Sequence, residues 1–161
     1  MARDDAAAEA FWRFSLMIYA KPGVADALIR LQDRGGHNVN LVLFGLWVGF
    51  SGGGRLNAAA LSRAKTAMAG LDRDIVTPLR QLRRALKNNP DRDIQELRRR
   101  VLGLEIAAER RVQARLAGSL MRRRLASGKR AAHAEANLRL LLGADAASPE
   151  AELLRRAISQ F

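Results

Sequence analysis

The sequence predicts an all-α fold, a compact bundle of six to eight helices, on three observations. Ala, Leu and Arg dominate its 161 residues while aromatics make up only 5%, a composition that favours helix. Every long periodic segment steps its apolar residues by three and four, the spacing of one helical face. One run, VNLVLFGLWVGF at 39–50, is apolar all round, and a helix of that kind must be surrounded by others.

DDAAAEAFWRFSLMIYA reads as the first helix. Asp4 or Asp5 can cap it, Phe11, Phe14 or Ser15 and Ile18 share a face, and Lys21-Pro22-Gly23 stops it. Pro22 suits the first turn of a second helix, GVADALIRLQDR, whose stripe is Val24, Leu28 and Leu31. Gly35 and Gly36 close it, because either can take the left-handed conformation that ends a helix. Periodicity alone fits the run 39–50 to a buried strand or a buried helix. Its length, its Leu and Gly content and its helical flanks favour a helix at the centre of the bundle.

SGGGRLN is a break, followed by a helix from about Asn57 to Ala69 with Asn57 as its cap. Asp72 can cap the next, DIVTPLRQLRRALKNN, with Ile75, Leu79, Leu82 and Leu86 on one face. Pro78 lies near its first turns, where it is tolerated or kinks the helix. After the turn NNPDRD the longest helix is expected from about Asp93 to Leu125. Its apolar residues run through Ile94, Leu97, Val101, Leu104, Ala108, Val112, Leu116 and Leu120. The short loop between these two makes 72–125 an antiparallel hairpin. Ser127-Gly128 breaks the chain before AAHAEANLRLLLG, and Ser148-Pro149-Glu150 has the order of a helix start, for a last helix to Ile158. Residues 1–126 are expected to form the helical domain. Residues 127–161 are expected to be a helical extension, part of that domain or packed on it, and its most loosely attached piece.

Net charge is +12, and its distribution decides what it means. Residues 71–130 carry 17 basic and 7 acidic groups, residues 1–70 carry 8 and 5, and residues 131–161 carry 3 and 4. Nearly all the excess positive charge lies at 71–130, which either draws polyanions (nucleic acid, anionic lipid or an acidic protein) or is only the arginine of solvated helix faces. Cysteine is absent, which excludes disulfides and thiolate metal sites. The apolar run of about 12 residues falls short of the ~18–20 that a membrane-spanning helix needs. The start MARDDAAAEAF puts acidic residues where a secretory leader carries basic ones. The expectation is a soluble, cytoplasmic protein.

The search for catalysis returns little. His37 and His133 stand far apart with no HExxH pattern, SGGGRLN lacks the GK[ST] ending of a phosphate loop, and RGGHNVN lacks a GxGxxG context. No catalytic, cofactor or metal residue is assigned. Glu105 and Glu109, one turn apart, could bind a hard metal or share a proton. The stronger reading sets them against the stripe Arg80, Arg83 and Lys87 as ion pairs across the hairpin. With Asp33, His37 and Asn40 they make up a candidate polar cluster. Asn40 can bond free amides of its helix's first turn, reach a neighbouring helix, or line a pocket with His37. The clusters Arg98-Arg99-Arg100, Arg110-Arg111 and Arg122-Arg123-Arg124 are candidate polyanion contacts. Each triplet covers most of a helix circumference, so they define no single reading face. After Phe50 the only aromatic is Phe161, so stacking platforms for bases are missing.

FWRFSLMIYAKPGV, LIRLQDRGGHNVNLVLFGLW, VTPLRQLRRALK and GLEIAAERRVQ together resemble a bacterial helical family known as a domain of unknown function. Trp12, Tyr19, Pro22, Gly23, Gln32, Asp33, Asn40, Trp47, Pro78, Arg80, Arg83 and Lys87 fall on its pattern, across roughly residues 10–115. Gly45 stands where that pattern leads one to expect a larger or cysteine-like residue. The resemblance implies the helical fold and a cytoplasmic place, and it brings no activity. The leading functional expectation is a non-catalytic interaction or adaptor protein whose basic hairpin meets an acidic protein or nucleoprotein surface. The alternatives are direct nucleic-acid or ribosome association, and a small-molecule-binding protein or enzyme with its site near Asn40 and Glu105.

Overall fold

The computed structural model describes residues 2–51, 53–120 and 130–160, and the regular structure of the described residues is all helical. Helix α1 (Ala2–Tyr19) already includes Asp4 and Asp5, so neither stands ahead of it as a cap. α2 (Val24–Gly35) starts after Gly23 and ends at Gly36, both with positive φ, so each boundary rests on the backbone freedom of glycine. α3 (Val39–Phe50) begins with Asn38, whose side chain accepts from Leu41 N–H. The capping role open to Asn40 therefore belongs to Asn38. Every residue of α3 from Val39 to Gly49 is buried. Phe11 of α1 stacks on Trp47 at 5.0 Å and meets Phe44 edge-on at 5.8 Å, which fixes α1 against the central helix.

Asn57 caps α4 (Ala58–Leu71) by accepting from Ala60 N–H. The sequence suggests a fresh start at Asp72, but the rod continues. A π-turn at Asp72–Val76 leads directly into α5 (Thr77–Ala85), with Pro78 in the first turn. Pro78 cannot donate to the turn before it, and the widened turn absorbs that defect. Asp72 instead accepts from the Asn38 side chain at 2.9 Å. Asp91 caps α6 (Arg92–Gly118). Gln95 reaches back to the carbonyls of Leu86 and Asn89, which ties the intervening turn down. Contacts of residue 80 with 109, 83 with 105 and 86 with 95 make α5 and α6 antiparallel. α6 ends at Gly118, short of the expected Leu125, where Ser119 N–H closes onto the carbonyls of Arg115 and Leu116; the expected break at Ser127-Gly128 lies outside the described residues.

α7 (Arg130–Leu142), a 3₁₀ turn at Gly143–Ala147 and α8 (Pro149–Ser159) follow, and Ser148 caps α8 as its sequence suggests. Loose attachment does not describe residues 130–160. α7 lies along α3 so closely that a Cβ on Gly49 would strike the Ala134 backbone, and one on Gly45 would strike the Leu141 side chain. The larger residue expected at Gly45 is thus replaced by the helix that fills its space. Buried Asn137 seals this seam. It accepts from Leu56 N–H at 2.7 Å and donates to the carbonyls of Gly45 and Gly54 at 2.9 and 3.1 Å. α8 is held to α2 by Arg30–Glu150 at 2.7 Å. Among the described residues no helix is long and apolar enough to cross a membrane.

Candidate functional site

The C-terminal half of α6 lies on α1, where Ser15 donates to Gln113 at 3.0 Å and Gln113 donates to Asn40 Oδ1 at 2.9 Å. Asn40 and Gln113 are both buried, so three helices are joined through one polar chain. Of the roles open to Asn40, this is the contact with a neighbouring helix. The N-terminal half of α6 carries α5 instead. Between this hairpin and the walls made by α1 and α2 lies a cleft of about 720 Å³, lined also by Val39 and Asn40.

One wall of the cleft is a charged block. Glu105, 4% exposed, accepts from Arg80 Nε at 3.1 Å, from Arg83 Nη2 at 3.2 Å and, on its other oxygen, from Arg83 Nε. Glu109 accepts from Arg80 Nη2 at 2.7 Å. Arginine's planar fork suits this sharing, because one guanidinium can hold two carboxylates at once. The hydrogen bond to Glu105 raises the pKa of Arg83 above its ordinary value. Burial pushes the Glu109 carboxyl above the ordinary carboxylate range, against the opposing pull of Arg80. Burial, and then the Glu109 charge, push the Tyr19 phenol up to about 12.

Asp33, at the rim, pairs with Arg84 at 2.8 Å. The cleft thus holds five cations, Arg80, Arg83, Arg84, Lys87 and Arg98, against three carboxylates. All three carboxylates are paired to the first three cations. Lys87 and Arg98 make no ion pair among the described residues, and Arg98 Nε is buried with no hydrogen-bond partner. The other lining is apolar. Leu16, Ile29, Leu102 and Ile106 remain 40–52% exposed on the cleft walls.

Seven of the eight residues of the candidate polar cluster line this one cleft. His37 does not. It turns to the 3₁₀ turn, where its Nε2 lies 2.7 Å from Asp145. The candidate polyanion residues are scattered: Arg98 faces the cleft, while Arg99 and Arg100 pair with Glu96. Arg110 bonds Glu9 at 2.6 Å and lies 5.6 Å over the Trp12 ring. Arg111 is exposed, and Arg122, Arg123 and Arg124 lie outside the described residues. Sequence reasoning missed Gln113 and Arg84, and it named Arg98 as a polyanion contact rather than as part of the polar cluster. Helical spacing could have placed Arg98 beside Glu105, seven residues on, which is two turns along the same face.

A family model described as a protein of unknown function (DUF2390) matches residues 10–116. The chain belongs to that family. No curated protein and no solved structure matches it. The family match contains every residue that lines the cleft, from Trp12 to Gln113, and ends before α7. Among the described residues no group of three or more His, Cys, Asp or Glu is placed to hold a metal ion.

Proposed function

We propose that this DUF2390 member is a non-catalytic binding protein whose cleft between α1–α2 and α5–α6 receives a small molecule. One observation carries the reading. Four large apolar side chains that folding would ordinarily bury stay about half exposed, on the walls of a cavity that also gathers the polar cluster. An apolar hollow with a few converging polar groups is the usual form of a ligand site. Glu105 supports binding rather than turnover. A general base needs an acceptor free to take a proton from the substrate, and both Glu105 oxygens already accept from arginines.

The adaptor expectation draws less support, because six arginines of the hairpin are engaged, three of them among the eight candidate polyanion residues. Arg80, Arg83, Arg84, Arg99, Arg100 and Arg110 all face carboxylates within the chain. Arg111, exposed on α6, keeps a second reading open in which the hairpin meets an acidic protein, a nucleoprotein or nucleic acid.

The test purifies three forms from the host, with and without nuclease: the native protein, Ile106→Arg, and a triple Arg99→Gln, Arg100→Gln, Arg111→Gln variant. A small molecule released on denaturation from the native and triple forms, but absent from Ile106→Arg, supports the cleft. A macromolecular partner lost only from the triple variant, with no cleft-dependent small molecule, overturns it.

A further inference from the structure

The cleft also specifies the chemistry of what it would hold, on the reading that it is a binding site. Its charge does not balance, and the imbalance is localised. Once Glu105, Glu109 and Asp33 are matched to Arg80, Arg83 and Arg84, two positive charges remain, on Lys87 and Arg98. Arg98 Nε–H is shut off from water with no acceptor, so its guanidinium is unmatched among the described residues, and an acidic group entering the cleft that this side chain lines would match its charge. Lys87, near the end of the hairpin, is exposed and can swing to the same group. Leu16, Ile29, Leu102 and Ile106 offer apolar surface in the same cavity. We infer that the cleft binds an anionic amphiphile, with its head on Arg98 and Lys87 and its apolar chain along the leucine and isoleucine wall.

The paired arginines are as important to this assignment as the unpaired Arg98 and Lys87. Each is held by a carboxylate, so the block presents a fixed, nearly neutral wall, and the unmatched positive charge of the cleft is that of Arg98 and Lys87. A zwitterionic or cationic head would find no unpaired carboxylate there. A carboxylate head and a phosphate head share the chemistry required, since a guanidinium receives either.

Isothermal titration of the intact protein with laurate, dodecyl phosphate and dodecyltrimethylammonium, all below their micelle concentrations, separates the possibilities. The expected result is saturable one-to-one binding of at least one anion, with the ammonium compound bound much more weakly. Stronger laurate binding points to a carboxylate source, and stronger dodecyl phosphate binding to a phosphate source. Arg98→Gln with Lys87→Gln should weaken the anion at least about tenfold, the loss expected of a charge-assisted hydrogen bond. Arg99→Gln with Arg100→Gln removes the same charge outside the cleft and should leave the affinity unchanged. Circular dichroism of each variant confirms that its helices are intact. Ammonium binding equal to the anions and abolished by Ile106→Asn would overturn the anionic head while leaving the cleft as a site. Absence of binding by all three compounds, or binding indifferent to Ile106→Asn, would overturn the cleft and the inference together.

Discussion

The two sides of α3 are built on opposite terms. Toward α7 the helix is smooth, with Gly45 and Gly49 letting a second backbone come against it, and Asn137 satisfying the polar groups trapped between. Toward α5 and α6 the helix presents Asn40, and the neighbouring helices stand back from one another to leave about 720 Å³. Close packing recovers dispersion and apolar burial over the whole seam. An open cleft forgoes both, and Leu16, Ile29, Leu102 and Ile106 stay wetted as a result. A close helix contact and an open cleft thus lie on two sides of a single buried helix; the first serves stability, and binding is proposed for the second.

The sharpest way to break this contrast is at the seam. Gly49→Ala places a methyl against the Ala134 backbone, which cannot move aside as a side chain can. A loss of about 3 kcal/mol is expected in urea denaturation, the upper part of the range for overpacking. Gly45→Ala meets only the tip of the Leu141 side chain. Repacking and the better helix propensity of alanine should bring its cost below about 1 kcal/mol. Equal losses at the two positions would show that α7 is not seated as described.

The next effect belongs to the charged block of the cleft. Glu105→Ala leaves Arg83 partly buried without its acceptor and Arg80 with Glu109 alone. A loss of about 2 kcal/mol is expected, below the cost of breaking a fully buried pair because the arginines keep some solvent. A double-mutant cycle between Glu105 and Arg83 should give a coupling of about 1 kcal/mol or more. Additivity would mean that the two are not engaged in solution. Asn40→Leu deprives only Gln113 of its acceptor, so denaturation should show a loss of about 1–2 kcal/mol.

A smaller, pH-dependent effect distinguishes the cleft from the surface. Glu109 has a folded pKa above its unfolded value, because burial disfavours its charge. Its folded form holds a proton that the unfolded chain has released, so this contribution is present at low pH and lost as pH rises through the folded pKa. The carboxyls of Glu9, Asp74, Glu96, Glu150 and Glu152, outside the cleft, are lowered by hydrogen bonds from arginines. Their contributions carry the opposite sign, present above the ordinary carboxylate range and lost as pH falls. Relative to the native protein, Glu109→Gln should therefore appear more stable near pH 7 than near pH 4 in denaturation series. A constant difference would remove the burial account of Glu109. The smallest effect expected is at Ile106. Ile106→Asn should change stability by no more than about 0.5 kcal/mol, as a surface substitution does.

The fold was largely legible because helix spacing is a local property. Phe11, Ile18, Val24, Leu28 and Leu31 fall on predicted faces and are buried, and the apolar run 39–50 is the central helix. The same spacing failed where no partner covers the face. Leu82, Leu97 and Leu104 continue predicted stripes yet are 46–59% exposed, since periodicity identifies a face and not what lies against it. Glu105 and Glu109 meet Arg80 and Arg83 as their spacing suggests, because a short loop between amphipathic helices dictates an antiparallel pair, while Lys87, the third of that stripe, pairs with neither. The cleft itself was not legible as a volume. It arises from the divergence of α1 and α2 from the hairpin, and from Arg98 and Gln113 turning toward it, relations that join residues as far apart as 15 and 113. The seam was hidden for a related reason: glycine in an apolar run is compatible with strand, bulge or close helix contact until the partner helix is known.

Trp12 lines the cleft while Trp47 is stacked in the core, so a Trp47→Phe variant carries a single tryptophan at the proposed site. Its emission during titration with laurate or dodecyl phosphate is the most direct measure of whether the open side of α3 binds. The account predicts a saturable change at one equivalent, at least about tenfold weaker after Arg98→Gln with Lys87→Gln. Unchanged Trp12 emission with both anions, or an identical response in that double variant, would contradict it.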